Sequence, residues 1–348
     1  DLNDAVPAVV VKRWIESLAH GRMEMKIRRF EERLKQLIDE SKLVVREPYP
    51  RYYGNPEEIP PPSKEYTRRD FANRSLWEQL LYEGIMEAMG YSKNAEPFLA
   101  LAQSMRLSFL RRHGFSDTTA MMALLFGAAG LLPARGSLQD QECKAYVHGL
   151  RKQWKALRLS FKGRILHSGD WLFFRLRPSN FPTARLASMC FLLPTLFAEE
   201  GLRTLIGVFK NESLSSKQRR EACGRLFRFE PDAFWKHNYN LVQKSRGKGI
   251  SIGPERVHDL LVNVIVPVVL LYARVFKDHA IRNNAHDVLQ SLPFANENSI
   301  TRLLQTQLLK ERIRFTSALD QQGGIQLYKF FCSPVRCSEC EIGKHAGL

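Results

Sequence analysis

From Val9 to about Ser41 the apolar residues Trp14, Leu18, Met23, Ile27, Phe30, Leu34, Leu37 and Ile38 return three to five positions apart, mostly at the spacing of one face of an α-helix. Lys12, Arg13, Arg22, Lys26, Arg28, Arg29, Arg33 and Lys35 cover much of the other face, with Glu16, Glu24, Glu31 and Glu32 between them. The pattern predicts a long amphipathic helix, broken near Gly21, whose mixed-charge side is either solvated surface or a partner surface. The stretch from Arg46 to Tyr66 then holds six prolines and four tyrosines, so neither a helix nor a central strand can run through it. It reads as an extended connector, partly of polyproline type.

Beyond it, Ser75-Leu76-Trp77-Glu78 has capping-box spacing, and Leu76, Trp77, Leu80, Leu81, Ile85 and Met89 form an apolar stripe that stops at Gly90. Similar patterns predict helices at about residues 96–112, 117–131, 138–159, 183–198, 217–226, 254–276, 279–290, 298–316 and 324–331. Only Asp170 to Arg177, DWLFFRLR, reads as a strand, and one strand cannot form a sheet. The expected fold is therefore all-α: a multi-helix bundle with a short cysteine-rich tail. The expected segments are an amphipathic helix over 1–45, a Pro/Tyr-rich linker over 46–73, a helical core over 74–331 and the tail over 332–348.

Charge narrows the partners. The 348 residues hold 52 Lys and Arg against 36 Asp and Glu, a net charge of +16, which favours polyanions such as nucleic acid over a purely solubilising surface. The apolar run Leu260 to Phe276 contains Asn263, Pro267 and Arg274 and falls short of the ~20 residues of a membrane span, so a core helix and no membrane partner are expected. The N-terminus has a short apolar run but no basic region or cleavage signal before it, and Asp1 in place of Met points to a fragment or processed chain. Cys143, Cys190 and Cys223 are scattered, as expected of reduced thiols in a cytoplasmic protein.

Three sites are candidates for chemistry. In the tail, Cys332, Cys337 and Cys340 have C-x4-C-x2-C spacing beside Pro334 and Gly343, which points to one shared zinc ion or iron-sulfur cluster. His345 would complete a zinc site; Cys143, Cys190 or Cys223 would complete a four-thiolate cluster. Arg175, Arg177 and Arg185 surround a Pro-Asn-Phe-Pro turn just before a helix that Thr183 can cap, an arrangement suited to a phosphate or else to a rigid turn. Lys244, Arg246 and Lys248 alternate with glycines in a loop lacking both nucleotide-cradling spacings, and are expected to touch a nucleic-acid backbone or to be solvated. The basic run from Lys217 to Phe229 lies nearby, with Phe227 and Phe229 between its arginines. His279 and His286 are seven apart, too far for a helical zinc-protease pair, and with Asp278 and Asp287 read as surface polar residues. No catalytic constellation is found.

The segments LWEQLLYEGIMEAMGYSKN, ALLFGAAGLLP, RPSNFPTARLA and LYKFFCSPVRCSECEIG, taken together, resemble the uncharacterised bacterial domain-of-unknown-function 2851 family from about Trp14 onward. That resemblance brings no established function. It implies that members also carry an N-terminal region similar to a PD-(D/E)xK nuclease core, with Gly-Pro-Asp-Phe and Val-Glu-Ile-His elements that have no match here. The chain is then expected to be either a nucleic-acid-binding helical module, the helical part of a larger nuclease whose core lies upstream or on a partner chain, or a protein-interaction scaffold docking through Arg46 to Tyr66.

Overall fold

In the computed structural model, which describes residues 6–45, 66–138, 140–198, 200–244, 249–294, 298–309 and 313–347, every regular element is helical; the only β-type contact among the described residues is an isolated bridge between Pro293 and Ser317. Helix α1 (Ala8–Val45) runs for 38 residues without a break at Gly21. One interior glycine costs a helix only about 1 kcal/mol. Against that stands a buried stripe of Val11, Ile15, Ala19, Met23, Ile27, Phe30, Leu34, Leu37 and Ile38, which stabilises the helix by far more. Most of the expected Pro/Tyr-rich linker, residues 46–65, lies outside the described residues.

The chain divides into two compact units: residues 1–33, 208–221 and 258–348 in the first, 34–207 and 222–257 in the second. The second unit begins its core with α2 (Arg74–Met89) and α3 (Tyr91–Ser104). Asn73, rather than Ser75, caps α2, its side chain accepting from the Ser75 N–H. Glu78 instead turns inward and accepts from the partly exposed Arg74 and Arg111, so ion pairs to a buried carboxylate replace the expected capping box. At the α2–α3 corner a Cβ on Gly90 would stand 2.1 Å from the Asn94 carbonyl oxygen, so only glycine fits there. Tyr91 follows with φ +53°.

Helices α4 (Leu107–His113), α5 (Thr118–Ala128), α6 (Gln141–Leu157) and α7 (Pro182–Leu196) fill the rest of this core. The single helix expected over 96–112 is thus two, parted at Met105 and Arg106. The small residues before Pro133 do allow close packing: a Cβ on Gly127 would meet the Trp154 ring at 2.2 Å. Cys143, Cys190 and Cys223 are free and buried, behaving as small apolar groups. The strand-like DWLFFRLR segment forms no strand: Asp170 closes a 3-10 turn, and a turn at Phe174 and Arg175 interrupts the rest. Its backbone finds the Asn94 side chain, which accepts from Leu172 N–H at 2.8 Å and donates to Leu172 O at 2.9 Å, while the Trp171 indole N–H donates to Ala129 O.

Helices α8 (Gly201–Lys210) and α9 (Ser216–Leu226) come next in the chain. The main helices of the first unit are α10 (Pro254–Phe276), which enters it at His258 and has a π-helical turn at Leu261–Ile265, and α11 (His279–Ser291), capped by Asp278. Helix α12 (Ser299–Leu303) runs on into a π-helical turn at Leu304–Leu308, and α13 (Ala318–Leu327) into another at Tyr328–Cys332, before the short α14 (Glu341–His345). Among the described residues α10 alone is long and apolar enough to cross a membrane by length and composition, and 67% of its most apolar window is buried inside the protein. At its π turn the Lys26 ammonium donates to Asn263 Oδ1 at 2.8 Å and Gln322 Oε1 at 2.7 Å. Burial holds that amine well below the usual lysine range.

Candidate functional site

The densest basic and aromatic ground among the sequence candidates is a corner of the second unit, assembled from the start of α3, residues 171–181 and the first turns of α7. Arg185 lies one turn into α7 and is only 6% exposed. Its guanidinium donates to the Tyr91 hydroxyl at 2.9 Å, to Asn180 Oδ1 and to Ser251 O at 3.1 Å. Tyr91 also donates to Asn180 Oδ1, and the Arg256 guanidinium lies 3.2 Å from the centre of the Tyr91 ring. Burial lowers the Arg185 pKa, with Tyr91 opposing the shift, and no carboxylate is among its partners. This buried cation is therefore held by neutral oxygens and an aromatic face.

Thr183 does not cap α7. Its hydroxyl donates to Tyr239 O at 2.7 Å, Phe181 occupies the cap position without a side-chain bond, and Pro182 starts the helix without an N–H to satisfy. The fork of Arg185 is likewise engaged inside the turn, so the expected trio of arginines separates by role. Arg175 and Arg177 stand exposed on the segment that Arg185 and Asn180 brace. Between Leu172 and Arg175, Phe174 is 73% exposed, with the Arg175 guanidinium 5.0 Å from its ring centre. Lys93 donates to Phe174 O at 2.9 Å, which fixes the backbone beneath the exposed ring. Arg175 itself has φ +55°, a left-handed conformation that turns the chain between the two exposed arginines.

Lys244 lies on the second unit and pairs with Glu142 at 3.0 Å, which raises its pKa. Its expected companions Arg246 and Lys248 lie outside the described residues. Arg219 and Arg220, from the basic run, turn inward and donate to Asn211 O and Ser291 O.

The cysteine tail belongs to the first unit. The chain leaves the last π turn through a Schellman-type bond from Arg336 N–H to Phe331 O at 2.8 Å, with Val335 in the left-handed position at φ +57° where glycine is usual. Cys340, 5% exposed, enters an apolar cluster with Ile15, Leu304, Leu327 and Ile342, and a Cβ on Gly343 would stand 2.0 Å from Cys337 O. Burial pushes the Cys332 thiol up to about 11, and Cys340 and Cys337 add to the shift. His345 is exposed at the end of α14. Among the described residues no three His, Cys, Asp or Glu side chains form a group able to hold a metal, those of the tail included. Its thiols feel one another's charge without converging.

One cleft was not evident in the sequence. A cavity of about 660 Å³ in the first unit is lined by α1, α10 and α11. Helix α1 contributes His20, Met23, Glu24 and Ile27, all on one helical face; α10 contributes Leu270, Ala273 and Arg274; α11 contributes His279, Arg282 and His286. Lys277 and Asp278 form its α10–α11 corner. The histidines set aside as surface polar residues thus share one concavity with a third from the N-terminal helix. Their signal was an i, i+3, i+7 spacing on α11 that matches the i, i+3, i+4, i+7 spacing on α1.

The chain belongs to the family described as protein of unknown function DUF2851, which it matches over residues 64–299. The matched stretch includes Tyr91, the 171–181 segment, Arg185 and α11, whereas His20 and the cysteine tail lie outside it. Comparison with curated proteins and with solved structures gives no match.

Proposed function

We propose that the protein is a nucleic-acid-binding helical module that uses the basic and aromatic corner of its second unit. The observation that carries this reading is Phe174, exposed between Leu172 and Arg175 on a backbone braced by Lys93, Asn94 and Asn180, with Arg177 beside it. An exposed ring held on a fixed segment offers a base a stacking face, and two exposed arginines offer its phosphates charge without reading sequence. Arg185, Tyr91 and Arg256 form the mount, and the +16 net charge supports long-range attraction.

Fluorescence anisotropy of the full chain with labelled single-stranded DNA, duplex DNA and RNA tests this. Binding is expected to fall steeply as salt rises, because bound cations release condensed counterions. Arg175→Gln with Arg177→Gln should flatten that salt dependence, and Phe174→Ala should weaken single-stranded binding more than duplex binding. Salt-insensitive binding, or no binding to any of the three at low salt, refutes the reading.

The zinc or iron-sulfur clamp on Cys332, Cys337, Cys340 and His345 remains a proposal, supported by the spacing and by the mutual influence of the thiols on Cys332. Elemental analysis and a visible spectrum of anaerobically purified protein decide it. Neither bound metal nor absorbance near ~400 nm would remove it.

A further inference from the structure

The cleft of the first unit offers donors that no described residue engages. Glu24 is occupied, accepting from Arg274 at 3.0 and 2.6 Å and from Arg28 at 3.2 Å, and Asp278 caps α11 by accepting from the Ile281 N–H. Both carboxylates on the wall are thereby committed. Lys277 and Arg282, by contrast, have no ion-pair partner among the described residues, and His20, His279 and His286 have no hydrogen-bond partner among them. The buried apolar side chains of Met23, Ile27, Leu270 and Ala273 line the same cleft.

We propose that this cleft binds a small organic phosphomonoester through Lys277, Arg282 and His286. Several converging donors suit a dianion with three free oxygens better than a single carboxylate, and a guanidinium matches two of those oxygens at once. His20 and His279, the more exposed imidazoles, line the same cleft and add ring N–H donors. The apolar lining residues receive the organic part, and the volume is that of a metabolite-sized site. His286 is half-buried, and His20 and Arg282 disfavour its charge while Asp287 favours it, so an arriving phosphate supplies the counter-charge that the site lacks.

Isothermal titration of the full chain with phenyl phosphate, inorganic phosphate, benzoate and benzyl alcohol tests the proposal. One equivalent of phenyl phosphate is expected to bind, inorganic phosphate and benzoate at least tenfold more weakly, and benzyl alcohol not at all. Arg282→Gln should cost at least tenfold in phenyl phosphate affinity without moving the unfolding midpoint, and Leu270→Gln should bring phenyl phosphate down to the level of inorganic phosphate. Absence of phenyl phosphate binding, or affinity unchanged in Arg282→Gln, would each overturn it. Because Phe174, Arg175 and Arg177 line no part of this cleft, oligonucleotide binding can succeed or fail independently.

Discussion

Two groups of cations face different problems in this protein. In the second unit Arg185 is taken out of water and answered by a tyrosine hydroxyl, an amide oxygen and a backbone carbonyl. In the first unit Lys277 and Arg282 line an open cleft and have no ion-pair partner among the described residues. A buried cation whose two terminal nitrogens are already engaged, and whose Nε is sealed in without a partner, can position its neighbours but has little left for a ligand. An exposed cation without a partner adds almost nothing to stability and keeps its hydrogen bonds for whatever enters. Loss of the first should therefore appear as unfolding, and loss of the second as lost binding.

The sharpest way to break this comparison is Arg185→Met. It keeps much of the stem's packing but removes every donor, leaving Ser251 O unmatched and the Tyr91–Asn180 pair without its clamp. Charge-assisted hydrogen bonds are worth roughly 1.5–3 kcal/mol each, and relief of the cation's own desolvation offsets part of that, so a net loss of about 3 kcal/mol is expected in urea unfolding. Arg282→Gln should stay within about 0.5 kcal/mol of the parent, as surface substitutions do. Equal losses from the two would end the distinction.

Phe174→Ala sharpens the same contrast inside the second unit. Its ring is largely exposed and its backbone is held independently of it, so stability should hardly change. If a base stacks there, single-stranded affinity should fall by on the order of 2 kcal/mol. Retained affinity in the anisotropy assay would move the nucleic-acid contact away from this corner.

How much of this could be read from the sequence depends on the distance over which each feature is decided. Helices such as His279–Ser291 follow from local periodicity and a capping aspartate, and their positions were legible. Gly201–Lys210 was missed although Leu202, Leu205 and Phe209 carry the helical spacing, because the run is short and lies between loops. The corner around Arg185 was legible as a basic turn, but not that Tyr91, 94 residues away, would take its guanidinium. The cleft was the least legible. Each of its faces is an ordinary amphipathic pattern, and no local rule states that His20 and His286 belong to one cavity. The cysteine spacing was the clearest motif, yet spacing does not report that Cys340 would enter an apolar cluster while His345 stays in water.

A smaller effect tests the cleft through its own histidine. Burial first, then His20 and Arg282, lower the His286 pKa, and Asp287 opposes them. Between that lowered value and the ordinary 6.5 the unfolded chain holds more protons than the folded one, so stability must rise with pH across the window and fall on acidification. His286→Gln should flatten this slope in urea midpoints measured from pH 5 to 8. Phenyl phosphate at saturation should reverse its sign by favouring the protonated imidazole, whereas a slope that phenyl phosphate leaves unchanged would separate His286 from any anion.

The last comparison sets Cys332 against the interior thiols, and it should alter reactivity without altering stability. Burial pushes Cys143 up to about 11 and Cys223 up to about 12, yet both are closed to reagents by the core around them. Cys332 has a similarly raised thiol, at about 11, but sits half-exposed. Since the thiolate is the nucleophile, only about one in a thousand Cys332 groups is reactive at pH 8, against roughly a quarter of ordinary thiols of pKa near 8.5. Alkylation followed by peptide mapping should therefore find Cys332 slow at pH 8, with a rate that climbs about tenfold per pH unit towards 11, while Cys143 and Cys223 react only on unfolding. A zinc ion or cluster on the tail would hold the sulfur deprotonated and shielded, making its rate independent of pH until chelator is added. The slope of rate against pH, read before and after chelation, thus distinguishes a desolvated thiol from a ligated one.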